Sequence, residues 1–266
     1  MSLCATSAGS GVRQEGAGVR KQGVGPSATA RQGVPAPEAP ASLTVVIPTL
    51  NEEAALPAVL EAVCAEEVEA IVVDGGSTDA TVRIATRAGV RLITGARGRA
   101  VQMNAGAEAA ACDAVLFLHA DSLPPAGFRQ TVLDVLADPE VVVGAFRFSL
   151  AATTLRLRLV EWGTNLRARW LQMPYGDQGL FMRRETWRDL GGFPEIPLME
   201  DYDLVRAARR VGRVAIAPTA LVTSDRRWRK TGPWRYTAIN TIIVVRRHLG
   251  ATPAQLAEWR ARYSKR

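Results

Sequence analysis

LTVVIPTLNEE (43–53) and AIVVDGGSTD (70–79) decide the fold. Each joins a short β-branched run to a polar turn. Leu43–Ile47 and Ala70–Val73 read as buried strands, and 53–65 between them has helical spacing. Ser77 with Asp79 can cap a helix over 79–88. The alternation continues outward: strand Val90–Ile93, helix 99–111, strand Ala114–Leu118, then helix 127–137 after Pro124–Pro125. Strand and helix in turn predict an α/β fold, a mostly parallel central sheet flanked by helices. Ligands of such sheets sit outside the carboxyl ends of the strands. The second half reads as strand Val141–Ser149, amphipathic helix 153–171, strand Gly179–Met182, helix 199–211, strands 213–217 and 220–223, and C-terminal helices 232–249 and 253–263.

With 266 residues, 47% hydrophobic and 22% charged, the chain can bury a core, which excludes wholly disordered, collagenous and coiled-coil classes. The most apolar candidate span, 238–245, is short and holds Asn240 and Thr241, so no transmembrane helix is expected. No apolar leader is visible. Cys4, Cys64 and Cys112 are too few and too widely spaced for a disulfide framework or zinc site, and predict inert thiols and a cytoplasmic location. Residues 1–42, rich in Gly, Ala, Ser, Gln and Pro, predict a disordered tail. A body over 43–225 and basic amphipathic helices over 226–266 would follow it.

The net charge of +7 is uneven. Residues 43–203 carry 14 basic and 22 acidic residues, whereas 204–266 carry 15 basic and 2 acidic. Such an end suits nucleic acid, an anionic membrane or a phosphorylated substrate. Trp228, Trp234 and Trp259 lie among its arginines. Without a nucleic-acid-binding motif, the reading favours an anionic membrane surface and expects no nucleic acid.

Three strand ends carry the polar chemistry: Pro48–Thr49–Leu50–Asn51–Glu52, Asp74–Asp79 and His119–Ala120–Asp121. In a parallel sheet these converge on one edge. No Gly-x-Gly-x-x-Gly and no Walker lysine is present. Asp74 is placed to accept hydrogen bonds from a base or ribose. Asp121 is a hard oxygen ligand suited to Mg²⁺ or Mn²⁺ shared with phosphates. Arg99 opens a helix, a natural anion position. Glu200 and Asp201 open another, where an acid can deprotonate an acceptor hydroxyl.

Jointly, VVIPTLNEE (45–53), VDGGSTD (73–79), LHAD (118–121) and MEDYD (199–203) resemble the family 2 glycosyltransferases of the GT-A fold, over roughly 43–225. GRAVQMNAG (98–106) and YGDQG (175–179) resemble its bacterial subgroup labelled transferase 2, rSAM/selenodomain-associated. The resemblance implies inverting, metal-assisted hexosyl transfer from a nucleotide-diphospho-sugar, UDP- or GDP-linked, to an acceptor hydroxyl, with a lipid-linked acceptor fitting a basic, membrane-facing end. It implies a nucleotide pocket of Pro48, Thr49, Asn51 and Glu52, with Asp74 on the base and Ser77 and Asp79 nearby, and Arg99, Asn104 and His119 on the same side. Asp121 would be the metal ligand, Asp201 the general base beside Glu200, and Gly176, Asp177 and Gln178 the acceptor side. Arg226 and Arg227 would close over the pyrophosphate. The family's first metal-site aspartate is His119 here. Two other readings are a nucleotidyltransferase, which lacks its glycine-rich basic loop here, and a sugar-nucleotide-binding protein with lost catalysis.

Overall fold

The computed structural model describes residues 38–95, 97–151 and 154–264. Most of the expected tail, including Cys4, lies outside these. Ala41 and Ser42 already belong to the folded body, because both donate to the Asp113 carboxylate.

Strands β1 (Leu43–Thr49), β2 (Glu69–Asp74), β3 (Arg91–Thr94) and β4 (Ala114–Phe117) alternate with helices α1 (Leu56–Cys64), α2 (Thr81–Arg87) and α3 (Arg99–Ala109). Then come β5 (Ser122–Leu123), α4 (Phe128–Leu136), β6 (Val141–Leu150), α5 (Leu155–Leu171), a 3-10 turn (Gly176–Gln178), β7 (Leu180–Arg183), α6 (Arg184–Asp189) and α7 (Glu200–Ala208). The chain continues through β8 (Arg213–Thr223), α8 (Arg226–Thr231), α9 (Pro233–His248) and α10 (Pro253–Ser264). The sheet order is β3-β2-β1-β4-β7-β6-β8-β5. Only β5 and β7 run against the others.

Val45 and Ile47 point into one apolar layer and Val46 into the other, so β1 is buried on both faces. That is why it reads as a continuous apolar run. Helix α1 buries Leu56, Val59, Leu60 and Val63, one stripe at helical spacing. Helix α3 approaches β1 closely. A Cβ on Gly106 would stand 2.3 Å from the Val46 side chain, so only glycine fits.

The second half departs from expectation in two ways. The expected strands 213–217 and 220–223 are one strand, β8. Its pairing with β6 skips between Ala145↔Ile216 and Arg147↔Ala220, and this irregularity absorbs Pro218, which has no N–H to give a ladder. The expected basic tail does not lie apart from the body. Ile239, Ile243 and Leu256 of α9 and α10 are buried in the main core. Trp228 is 6% exposed and packs against Phe148 and Tyr236.

Candidate active site

The register Thr49↔Asp74 places the ends of β1 and β2 side by side, with β4 pairing β1 on its other flank. The loops that follow are laced together. Asn51 N–H donates to Ser77 Oγ at 2.8 Å, Thr78 N–H to Asn51 Oδ1 at 2.9 Å, and Glu53 N–H to Asp79 at 3.1 Å. Asn51 takes φ 55°, a left-handed conformation that asparagine tolerates better than most residues. Pro48 is half-buried at the strand end, and Thr49 is buried.

Asp74 stands at this position with its side chain already engaged. Its side chain is buried and accepts from Gly76 N–H, Ser77 N–H, Ser77 Oγ and Thr49 Oγ1. Here it shapes the loop, and both its oxygens are engaged before any base arrives. Asn104 is likewise engaged. Its amide donates to Phe193 O and accepts from Phe193 N–H, both at 2.8 Å, which consumes it as a clasp on the 192–193 loop. Gln178 is engaged too: buried, it donates to Phe146 O at 3.0 Å and accepts from Tyr175 N–H. Gln102 escaped the sequence reading, although its Nε2 bridges Thr49 O and Val73 O and ties β1 to β2. A polar residue on an otherwise apolar helix face was the available signal.

Across the cleft, Met199 at φ 74° turns the chain into α7. A non-glycine residue in that region is strained, and such strain gathers at functional sites. Two acids open that helix and take different partners. Glu200 is buried and ion-paired with Arg99, and burial raises its carboxyl while Arg99 opposes the rise. Asp201 is half-buried, with Oδ2 accepting from Gly176 N–H and Oδ1 from Tyr202 N–H, both at 2.8 Å. Glu200 therefore anchors Arg99, while Asp201 is held at the cleft wall. A Cβ on Gly176 would lie 3.1 Å from both Asp201 Oδ2 and His119 Nε2, so glycine here keeps the acid and the imidazole close. Burial, with Arg99 and Arg227 nearby, lowers the His119 imidazole to about 3, so the ring is neutral.

Arg226 and Arg227 diverge. Arg226 reaches Glu52 at 3.1 Å and Asp121 at 3.6 Å, linking the β1 and β4 ends to α8. Arg227 lines a cavity of about 220 Å³ together with Arg99, His119, Asp177 and Asp201. Burial raises the Asp177 carboxyl to about 6, with Arg167 opposing and Asp201 reinforcing the shift.

Among the described residues no three His, Cys, Asp or Glu side chains come together as a cage. Asp121 stands with Glu52 and Arg226, whereas the free His119 nitrogen faces Gly176 and Asp201. A single hard carboxylate fits a cation whose remaining ligands are phosphate oxygens and water.

The family described as "Glycosyl transferase family 2" matches residues 44–193. An uncharacterized glycosyltransferase of Mycobacterium tuberculosis is 42% identical over 108 residues, 40% of this chain and 49% of that protein. The chain thus spans about half the length of the curated relatives it matches. A mannosyltransferase of Pyrobaculum calidifontis, solved with GDP-Man and Mn²⁺, superposes with a TM-score of 0.61 at 23% identity, covering 85% of this chain and 70% of that one. Glucosyl-3-phosphoglycerate synthase of M. tuberculosis, solved with Mn²⁺, UDP-glucose and phosphoglyceric acid, gives 0.53 at 20% identity, covering 68% and 71%. These likenesses establish the GT-A fold.

Proposed function

Because the chain belongs to glycosyl transferase family 2, we propose that it moves a hexosyl group from a UDP- or GDP-sugar to an acceptor hydroxyl with inversion. One observation carries the reading: Asp201 sits at the cavity wall, held by two backbone N–H groups and beside neutral His119. In this reading the acceptor oxygen attacks the anomeric carbon and the bond to the diphosphate breaks. The hydroxyl proton passes to Asp201. Arg227, and Arg226 once it leaves Glu52, meet the negative charge on the departing diphosphate. Asp121 would hold a divalent cation, Mn²⁺ or Mg²⁺, which when bound supplies further neutralisation of that charge. Pro48, Thr49, Asn51 and Glu52 form the nucleotide side, with Ser77 and Asp79 bracing the loop.

The test pairs two readouts on Asp201→Asn. UDP or GDP should still raise the melting temperature, as a ligand of the folded state does. Release of nucleotide from UDP- and GDP-sugars should fall by about 10²–10⁴-fold, the usual contribution of a general base. Near-normal turnover in that variant removes Asp201 from the role.

A second reading concerns location. Leu155, Leu159, Trp162, Leu166 and Trp170 make one exposed stripe along α5, with Trp162 66% and Trp170 77% exposed. Exposed Arg156, Arg158 and Arg169 flank it. Apolar and aromatic groups ringed by arginine suit the inner face of an anionic membrane and, with it, a lipid-linked acceptor. No described helix is long and apolar enough to cross a membrane. Flotation with anionic vesicles, lost on Trp162→Ser with Trp170→Ser, supports this reading; equal flotation with neutral vesicles defeats it.

A further inference from the structure

Ten buried side-chain nitrogen and oxygen atoms among the described residues have no hydrogen-bond partner. Five of them, His119 Nε2, Arg167 Nη2, Asp177 Oδ1, Trp228 Nε1 and Thr237 Oγ1, belong to residues lining the one cavity of about 220 Å³. Buried polar atoms are normally satisfied, because an orphaned one has lost water and gained nothing. So many around one cavity describe the complement of a ligand.

The orphans divide by element. His119, after β4, and Asp177, on the 3-10 turn, lie at the sheet edge with Asp201 and offer an imidazole nitrogen and a carboxylate oxygen. Arg167 on α5, Trp228 on α8 and Thr237 on α9 offer hydrogens from the helices. Arg167 is already oriented: its guanidinium lies 3.7 Å over the Tyr175 ring and its Nε donates to Met173 O. Arg227 and Arg260 line the same space. The Arg99 charge is matched by Glu200, so Arg167, Arg227 and Arg260 outnumber Asp177 and Asp201. The volume is below that of sites for drug-sized ligands, so the occupant is small.

We infer that this cavity is the acceptor subsite and takes a small hydroxylated anion, a carboxylate or phosphate carried on a short polyol. Its anionic group meets Arg167, Trp228 Nε1–H and Arg260, and its hydroxyl lies toward Asp201 and His119. This rests on the glycosyltransferase reading. The same chemistry comes from a soluble metabolite or from a lipid headgroup.

The test is isothermal calorimetry on the full chain, with and without UDP or GDP, using glycerate, glycerol 3-phosphate, inorganic phosphate and neutral glycerol. Glycerate or glycerol 3-phosphate should bind at least tenfold more tightly than glycerol and than inorganic phosphate. Trp228→Phe keeps an aromatic six-membered ring but removes the pyrrole with its N–H, and Arg167→Gln removes the charge; each should weaken that binding about tenfold. Binding no tighter than glycerol, or binding untouched in both folded variants, overturns the inference. If either variant fails to fold, the wild-type comparison decides alone. Nucleotide binding without anion binding defeats this inference and leaves the transferase reading standing. Anion binding without any nucleotide binding leaves an anion site but defeats the transferase reading and, with it, the acceptor role of the cavity. Competition by phosphatidylglycerol vesicles against the bound soluble anion assigns the source to a lipid headgroup, and its absence to a soluble metabolite.

Discussion

Along the edge formed by β1 and β2, Asn51, Glu53, Asp74, Ser77 and Asp79 satisfy one another with hydrogen bonds. Across the cleft, under α5, α8 and α9, His119, Arg167, Asp177, Trp228 and Thr237 each leave a buried atom without a partner. The first region is a scaffold complete before any ligand arrives, and the second is completed only by one. Substitutions on the first should therefore register mainly as stability, and on the second mainly as turnover and binding.

The largest effect belongs to Asp201→Asn, the test of the general base; its amide keeps an acceptor for only one of the Gly176 and Tyr202 N–H groups, so a loss of about 1–3 kcal/mol in stability should accompany the loss of turnover. Next comes Gly176→Ala. The new methyl would stand 3.1 Å from Asp201 Oδ2 and from His119 Nε2, so acid and ring must part. A displacement near 1 Å can cost about 10²-fold, and turnover should fall by roughly that factor while UDP or GDP still protects against melting. Unchanged turnover would mean that the spacing between Asp201 and His119 is not part of the chemistry.

Asp74→Asn tests the finished side. One carboxylate oxygen accepts from two backbone N–H groups and the other from Ser77 Oγ and Thr49 Oγ1, so the amide can keep its oxygen on the backbone pair only by turning its hydrogens toward the hydroxyls, which must then accept. Charge-assisted bonds become ordinary ones and the hydroxyls must reorient, so urea unfolding should show a loss of about 1–3 kcal/mol. Asn104→Ala, which opens the clasp on Phe193, should lose about 1–2 kcal/mol with nucleotide binding intact. Lost nucleotide binding with full stability, in either variant, would return that side chain to the nucleotide pocket.

The same contrast explains what the sequence could disclose. β1, β2 and β4 were legible because strands buried on both faces are spelled as unbroken Val, Ile and Leu. Their polar ends were legible because a parallel sheet delivers them to one edge. The role of Asp74 was not, since a carboxylate facing a base and one closing its own turn occupy the same place in the chain. The contacts of Asn104 and Gln178 were hidden for a related reason: their partners, Phe193 O and Phe146 O, are backbone atoms 89 and 32 residues away. Trp228 reversed expectation because exposure depends on which helix face meets the core. Helix α8 turns Trp228 inward against Phe148, while α5 leaves Trp162 outside.

Asp177→Asn should give an effect no larger than that of Asn104→Ala, and one of opposite sign. The folded carboxyl titrates near 6, raised by burial against Arg167, Arg227 and Arg99 and with Asp201, from an ordinary value of 3.8. Below the unfolded value both states hold the proton, and the side chain costs nothing. Between about 4 and 6 the unfolded chain releases its proton while the folded one keeps it, so folding becomes progressively less favourable. Above about 6 the full penalty persists. Two units correspond to about 3 kcal/mol, and partial solvent access reduces this to about 1–2 kcal/mol. The neutral amide carries no such penalty. Asp177→Asn should therefore match the wild type in urea unfolding at pH 3.5 and exceed it by about 1–2 kcal/mol at pH 7.5. Equal stability at both values would mean that Asp177 is solvated in the free protein, and would remove it from the set of groups that the cavity leaves waiting for a ligand.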